Sequence, residues 1–191
     1  MAALDATVRD RLAASGELFN GYNPQMRAVH RRNGERLTVI LDELGVWPGF
    51  TLVGEDGSEA AFIIGQHDIA NPPLIRRCRD LYRAAVATNE AAPARLAALE
   101  DRIRYFEGRE QAYGTHWGWN RAGQFGPWPP VEDPDNVDER RARVELPPLA
   151  DALATARRQQ SRPLVRPIEE VLSEHDQAER FAIDVGWRTG A

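Results

Sequence analysis

A chain of 191 residues with 42% hydrophobic and 28% charged residues has the size and composition of one folded domain with a full core, which excludes a disordered or fibrous protein. The net charge of -5 argues against a nucleic-acid partner, whose phosphates call for clustered cations. All 24 basic residues are arginine, which excludes P-loop and Schiff-base lysine chemistry, and the lone Cys78 excludes an internal disulfide and cysteine-clustered metal sites.

The opening stretch carries Asp5 and Asp10 and no continuous apolar core, so no secretory signal is expected there. No later run is long enough to cross a bilayer, and a cytoplasmic protein with no membrane partner is expected. Leu4, Val8 and Leu12 predict a first helix that breaks near Gly16. Pro24 then opens a stronger helix with a stripe through Met26, Val29, Leu37, Ile40, Leu41 and Leu44, stopped by Gly45. "VWPGFTLVGEDG" reads as a loop with one short extended segment, after which Asp56 or Ser58 caps a helix through "EAAFIIGQHDIA" that ends by Asn71, before Pro72.

Leu74, Cys78, Leu81, Tyr82 and Ala85 make a further amphipathic helix in which Cys78 is a small core residue. Pro93 opens another through Leu96, Leu99, Ile103 and Phe106. In "EQAYGTHWGWN" the period changes to two, which predicts a strand from Gln111 to Trp119, and "NRAGQ" turns the chain into a hairpin spanning about 110–131. "VEDPDNVDERRAR" starts a solvated helix whose Arg140, Arg141 and Arg143 are alternatively placed to clamp an anion. The expected fold is mainly α, a compact bundle of five to seven helices with one small β-hairpin, in a single domain over residues 1–160. Residues 161–191 are expected to form a C-terminal extension with a short helix and a surface His175.

Chemistry is sought where polar residues fall on apolar faces. His67 shares its helix face with Ala60, Ile63 and Ile64, next to Gln66; the stripe from Met26 is polar at His30 and Asn33; Glu100 and Glu107 flank Leu96 and Ile103. Buried without partners such groups cost stability, so they form either a hydrogen-bonded network or a polar cavity. His67 is the natural acid or base, with Glu107 orienting it or sharing the proton, and Tyr113 or His116 closing the site. Asp68 is expected to be exposed.

The stretches "GYNPQMRAVHRRN", "GVWPGFTLVG", "AAFIIGQHD", "LEDRIRYFEGREQAYGTHW" and "PPVEDPDNVDERR" together resemble a bacterial family classified only as a domain of unknown function. The resemblance covers about Glu17 to Leu153 and implies that Asn33, Gln66, His67, Asp101, Arg102, Gln111, Tyr113 and Gly114 belong to the family's pattern. His116 departs from that pattern, in which glutamine is associated with the position. The "HD" pair, His67 and Asp68, also resembles the helical metal phosphohydrolases over two letters.

The first expectation is an enzyme or enzyme subunit acting on a small polar metabolite by metal-independent acid/base chemistry. Its catalytic residues are His67 and Glu107, and its substrate-binding residues are His30, Asn33, Gln66, Arg102, Gln111, Tyr113 and His116. No metal ligand and no cofactor is assigned. The second is a non-catalytic protein that binds a protein partner through Trp117, Trp119, Trp128 and the C-terminal extension, with oligomerisation left open. The third is a His/Asp metal-dependent hydrolase.

Overall fold

The computed structural model describes residues 1–19 and 21–190. It is 65% helical and, among the described residues, has eight α-helices and one antiparallel hairpin, so the mainly α expectation holds. No described helix is long and apolar enough to cross a membrane. Packing divides the chain into two compact units, Met1–Ala92 and Pro93–Ala191, and the expected boundary near residue 160 falls inside the second.

The first unit contains α1 (Ala2–Ala14), α2 (Pro24–Leu44), α3 (Phe50–His67) and α4 (Pro72–Ala87). Asn23 caps α2, its side chain accepting from the Gln25 N–H at 2.9 Å, and Gly45 ends the helix in the left-handed region at φ 67°. Asn71 caps α4 in the same way, accepting from the Leu74 N–H at 3.3 Å. Leu12, Met26, Leu37, Leu41, Phe62, Ile64, Ile75 and Tyr82 form the buried interior. Cys78 is fully buried beside Gly65, and burial pushes its thiol up to about 12, as befits a core residue rather than a nucleophile.

The loop expected from Val46 to Gly57 is a correction: α3 begins at Phe50 and is interrupted only at Gly54, where φ is 72°. The cause is a cap from far along the chain. Glu90 accepts from the Phe50 N–H through its backbone carbonyl at 3.0 Å, and its carboxylate takes the Thr51 N–H at 2.8 Å and the Thr51 hydroxyl at 2.5 Å. Ser58 is not a cap either, because its buried hydroxyl accepts the Trp47 indole N–H at 3.0 Å.

The second unit contains α5 (Pro93–Glu107), β1 (Trp117–Trp119), β2 (Phe125–Pro127), α6 (Val137–Ala142), α7 (Leu149–Gln159) and α8 (Ile168–Asp184). Trp117 pairs with Pro127, Gly118 with Gly126 and Trp119 with Phe125. The predicted strand from Gln111 is shorter than expected because residues 111–116 wrap instead around Asp101, which is fully buried on α5. Its carboxylate accepts the Ala112 N–H at 2.7 Å, the Tyr113 N–H at 3.2 Å, and the Thr115 N–H and hydroxyl at 2.9 Å each. Four donors on one buried carboxylate overrule the alternating pattern.

The C-terminal segment is stitched to the hairpin. The Phe125 N–H donates to the Leu164 carbonyl and the Arg166 N–H to the Gly123 carbonyl, both at 2.9 Å, while Trp119 and Phe125 pack with Val171 of α8. Arg166 lies 4.8 Å from the Trp119 ring centre and, by hydrogen bonding, helps hold the Glu174 carboxyl down at about 2. His175 is not the surface residue expected: its ring stacks on Trp128 at 4.7 Å and its Nε2 meets the Trp119 carbonyl at 2.9 Å.

Candidate functional site

The polar faces of three helices in the first unit meet at one carboxylate. Asp5 of α1 is 1% exposed, and its Oδ2 lies 3.1 Å from Nε2 of His30 on α2 and 3.0 Å from Nδ1 of His67 at the end of α3. The three ligand-type atoms lie within 4.8 Å of one another. The His30 and His67 rings are 5.1 Å apart, centre to centre. The Tyr22 hydroxyl stands 2.8 Å from His30 Nδ1 and donates, at 3.5 Å, to the His67 carbonyl.

The sequence explains each placement locally. Asp5 and Leu12 are the buried residues of α1 and share a face seven positions apart. His30 sits between Met26 and Gly34 on the inward stripe of α2, and His67 follows Ile64 by nearly one turn. Burial works to raise the Asp5 pKa, yet the two histidines facing the carboxylate outweigh it and hold the carboxyl well below its usual range. Burial, reinforced by the Asp68 charge, pushes the Tyr22 phenol up, so it remains a neutral hydroxyl.

Asp68 corrects a further expectation, being 2% exposed rather than solvated. It lies against Gly34 so closely that an added Cβ there would collide with Oδ2, and it accepts from Asn71 Nδ2 at 3.3 Å. Burial raises its pKa.

The structure places the sequence-expected site residues in two groups: His30, Asn33, Gln66 and His67 in the first unit, and Arg102, Glu107, Gln111, Tyr113 and His116 in the second. Asn33 is buried, with Nδ2 3.4 Å from the Met1 carbonyl, and Gln66 is half-buried beside His67. Gln111 is fully buried and its amide engages backbone: Nε2 donates to the Pro129 carbonyl at 2.7 Å and the His116 carbonyl at 2.9 Å, while Oε1 accepts the His116 N–H at 2.7 Å. Tyr113 is half-buried with its N–H on Asp101, and Glu107 pairs with Arg109 at 3.2 Å. The His116 ring packs on Tyr105 at 4.3 Å, and burial, helped by the Arg102 charge, lowers its pKa to about 3.

Arg140 and Arg141, which the sequence offered as an anion clamp, bind main chain instead. Arg140 Nε donates to the Ala112 carbonyl at 2.9 Å and Arg141 Nε to the Pro147 carbonyl at 2.6 Å. Of the hairpin tryptophans, Trp119 is buried, with its indole N–H on the Pro163 carbonyl at 2.9 Å, and Trp117 and Trp128 are half-buried.

Sequence reasoning missed Asp5 and Tyr22. For Asp5 a signal was present: a carboxylate on the Leu12 face of a helix is the same sign that singled out His30 and His67. For Tyr22, which precedes the first turn of α2, no periodic pattern existed.

A mainly α protein with one carboxylate and two histidines converging from three helices is the class that fold and site define. The chain belongs to a family of unknown function, DUF6624, whose model matches residues 1–158. No curated protein and no solved structure matches it. The family match spans Asp5, His30 and His67 and stops before α8.

Proposed function

We propose that the protein is an enzyme acting on a small polar molecule by acid/base chemistry, with its reaction centre at Asp5, His30 and His67. The observation that carries this reading is the buried Asp5 carboxylate shared by two histidines. So costly an arrangement of polar groups is characteristic of sites where proton transfer matters. His67, with 19% of its side chain exposed, is the member a substrate reaches, and the cluster draws a proton from that substrate or from a water beside it. Asp5 orients the rings and stays ionised to balance positive charge on them. A cytoplasmic setting is part of the proposal. An enzyme is preferred over a partner-docking hairpin because Trp119 is already buried within its own unit.

The test is a turnover screen over small polar metabolites and model esters with wild type and His67→Ala, folding checked by circular dichroism. Activity that His67→Ala abolishes without unfolding supports the reading. A folded His67→Ala that turns over the same compound at the wild-type rate overturns it.

A further inference from the structure

We propose that Asp5, His30 and His67 hold a divalent first-row transition-metal ion. The inference rests on placing function at this cluster, and it changes what supplies the reactive base. Two imidazoles and a carboxylate from three helices form the one group of three or more potential metal ligands found among the described residues. With metal–ligand bonds of about 2.1 Å, neighbouring ligand atoms stand roughly 3.0 Å apart at a right angle and roughly 3.4 Å apart at the tetrahedral angle. The separations from Asp5 Oδ2 are 3.1 Å to His30 Nε2 and 3.0 Å to His67 Nδ1.

The second argument is an orphaned atom. Nε2 of His30 is buried and has no aligned hydrogen-bond partner among the described residues, although Asp5 Oδ2 is 3.1 Å away. The Tyr22 hydroxyl, 2.8 Å from His30 Nδ1, holds the other nitrogen of that ring. In the tautomer that carries its proton on Nδ1, the Nε2 lone pair faces a carboxylate oxygen 3.1 Å away, two acceptors face to face. A cation between them resolves the conflict, and a ligating histidine whose other nitrogen is fixed by a hydrogen bond is the usual second layer of a metal site. His67 Nδ1 would give up the proton it shares with Asp5.

The donor set chooses the ion. Imidazole nitrogen suits zinc, iron(II), copper or nickel, whereas calcium and magnesium prefer all-oxygen shells. Three protein ligands leave positions open for water or a substrate oxygen, the pattern of catalytic rather than structural sites. Water held there loses its proton near neutral pH and serves as the base.

The deciding experiment titrates the tag-free, full-length chain, stripped with EDTA, first with Co²⁺ and then with Zn²⁺. One equivalent of Co²⁺ with a ligand-field spectrum, displaced by Zn²⁺, together with a raised thermal midpoint, is expected. His30→Ala and His67→Ala should each weaken Zn²⁺ binding about 100-fold and Tyr22→Phe about 10-fold, while His175→Ala leaves it unchanged. Folded wild-type protein that takes up no stoichiometric Co²⁺ or Zn²⁺ overturns the proposal. So does stoichiometric binding that survives both alanine variants. Metal bound at the cluster without turnover of any compound fails the enzyme reading alone, and turnover by stripped protein that binds no ion fails the metal alone.

Discussion

Asp5 Oδ2 lies 3.0 Å from Nδ1 of His67, a residue 62 positions further along the chain, and this contact joins the start of α1 to the end of α3. Because Asp5 is 1% exposed, its charge has little water to replace a lost partner. Asp5→Asn should therefore destabilise the protein by on the order of 1–3 kcal/mol, read from urea unfolding, and abolish activity. An Asn variant of wild-type stability would mean that the carboxylate charge contributes nothing to the fold.

Gly34 is where α2 admits Asp68. A methyl group at this position would strike Asp68 Oδ2 and also reach Leu74 Cδ2, so Gly34→Ala should cost about 1–3 kcal/mol and disturb the neighbouring His67. Gly126→Ala, where an added Cβ meets nothing within 4 Å, serves as control. Equal thermal midpoints for the two variants would count against the close packing of Asp68.

His116 should make the protein acid-sensitive. The unfolded chain takes up a proton at the ordinary 6.5, but burial delays uptake in the folded state to about 3. Between those values the unfolded state binds more protons, so this contribution is complete above about pH 6.5 and is lost as pH falls towards about 3. Thermal midpoints measured across that range should fall less steeply in His116→Gln, whereas unchanged slopes would contradict the burial.

Asp101 organises the turn that precedes the hairpin. Asp101→Ala leaves four donors without their acceptor and should cost at least about 3 kcal/mol, with hydrogen exchange accelerated at Ala112, Tyr113 and Thr115. Exchange that stays protected at those three amides would show that another group holds the turn.

Deleting residues 161–191 should do more than remove an arm. It uncovers Trp119 and Phe125, takes away Val171, and leaves the Phe125 N–H without the Leu164 carbonyl. Loss of helical signal beyond the deleted residues and red-shifted tryptophan emission are expected. A truncated chain with an unchanged thermal midpoint would instead mark the segment as an appendage.

Local chemistry was enough for most helices. Pro24, Pro72 and Pro93 sit in first turns, Gly45 terminates α2, and apolar spacing located the stripes, because propensity, capping and periodicity act within a few residues. The same reasoning marked His30 and His67 as polar groups on buried faces. What it could not supply were interactions between distant positions. Glu90 starts α3 from a turn about forty residues away, Asp101 bends a stretch whose alternation reads as a strand, and Asp5 becomes the partner of two histidines only when three helices pack together. Each is a charged or polar group whose meaning depends on what burial brings within about 3 Å of it, and that distance is set by tertiary packing rather than by neighbours in the chain.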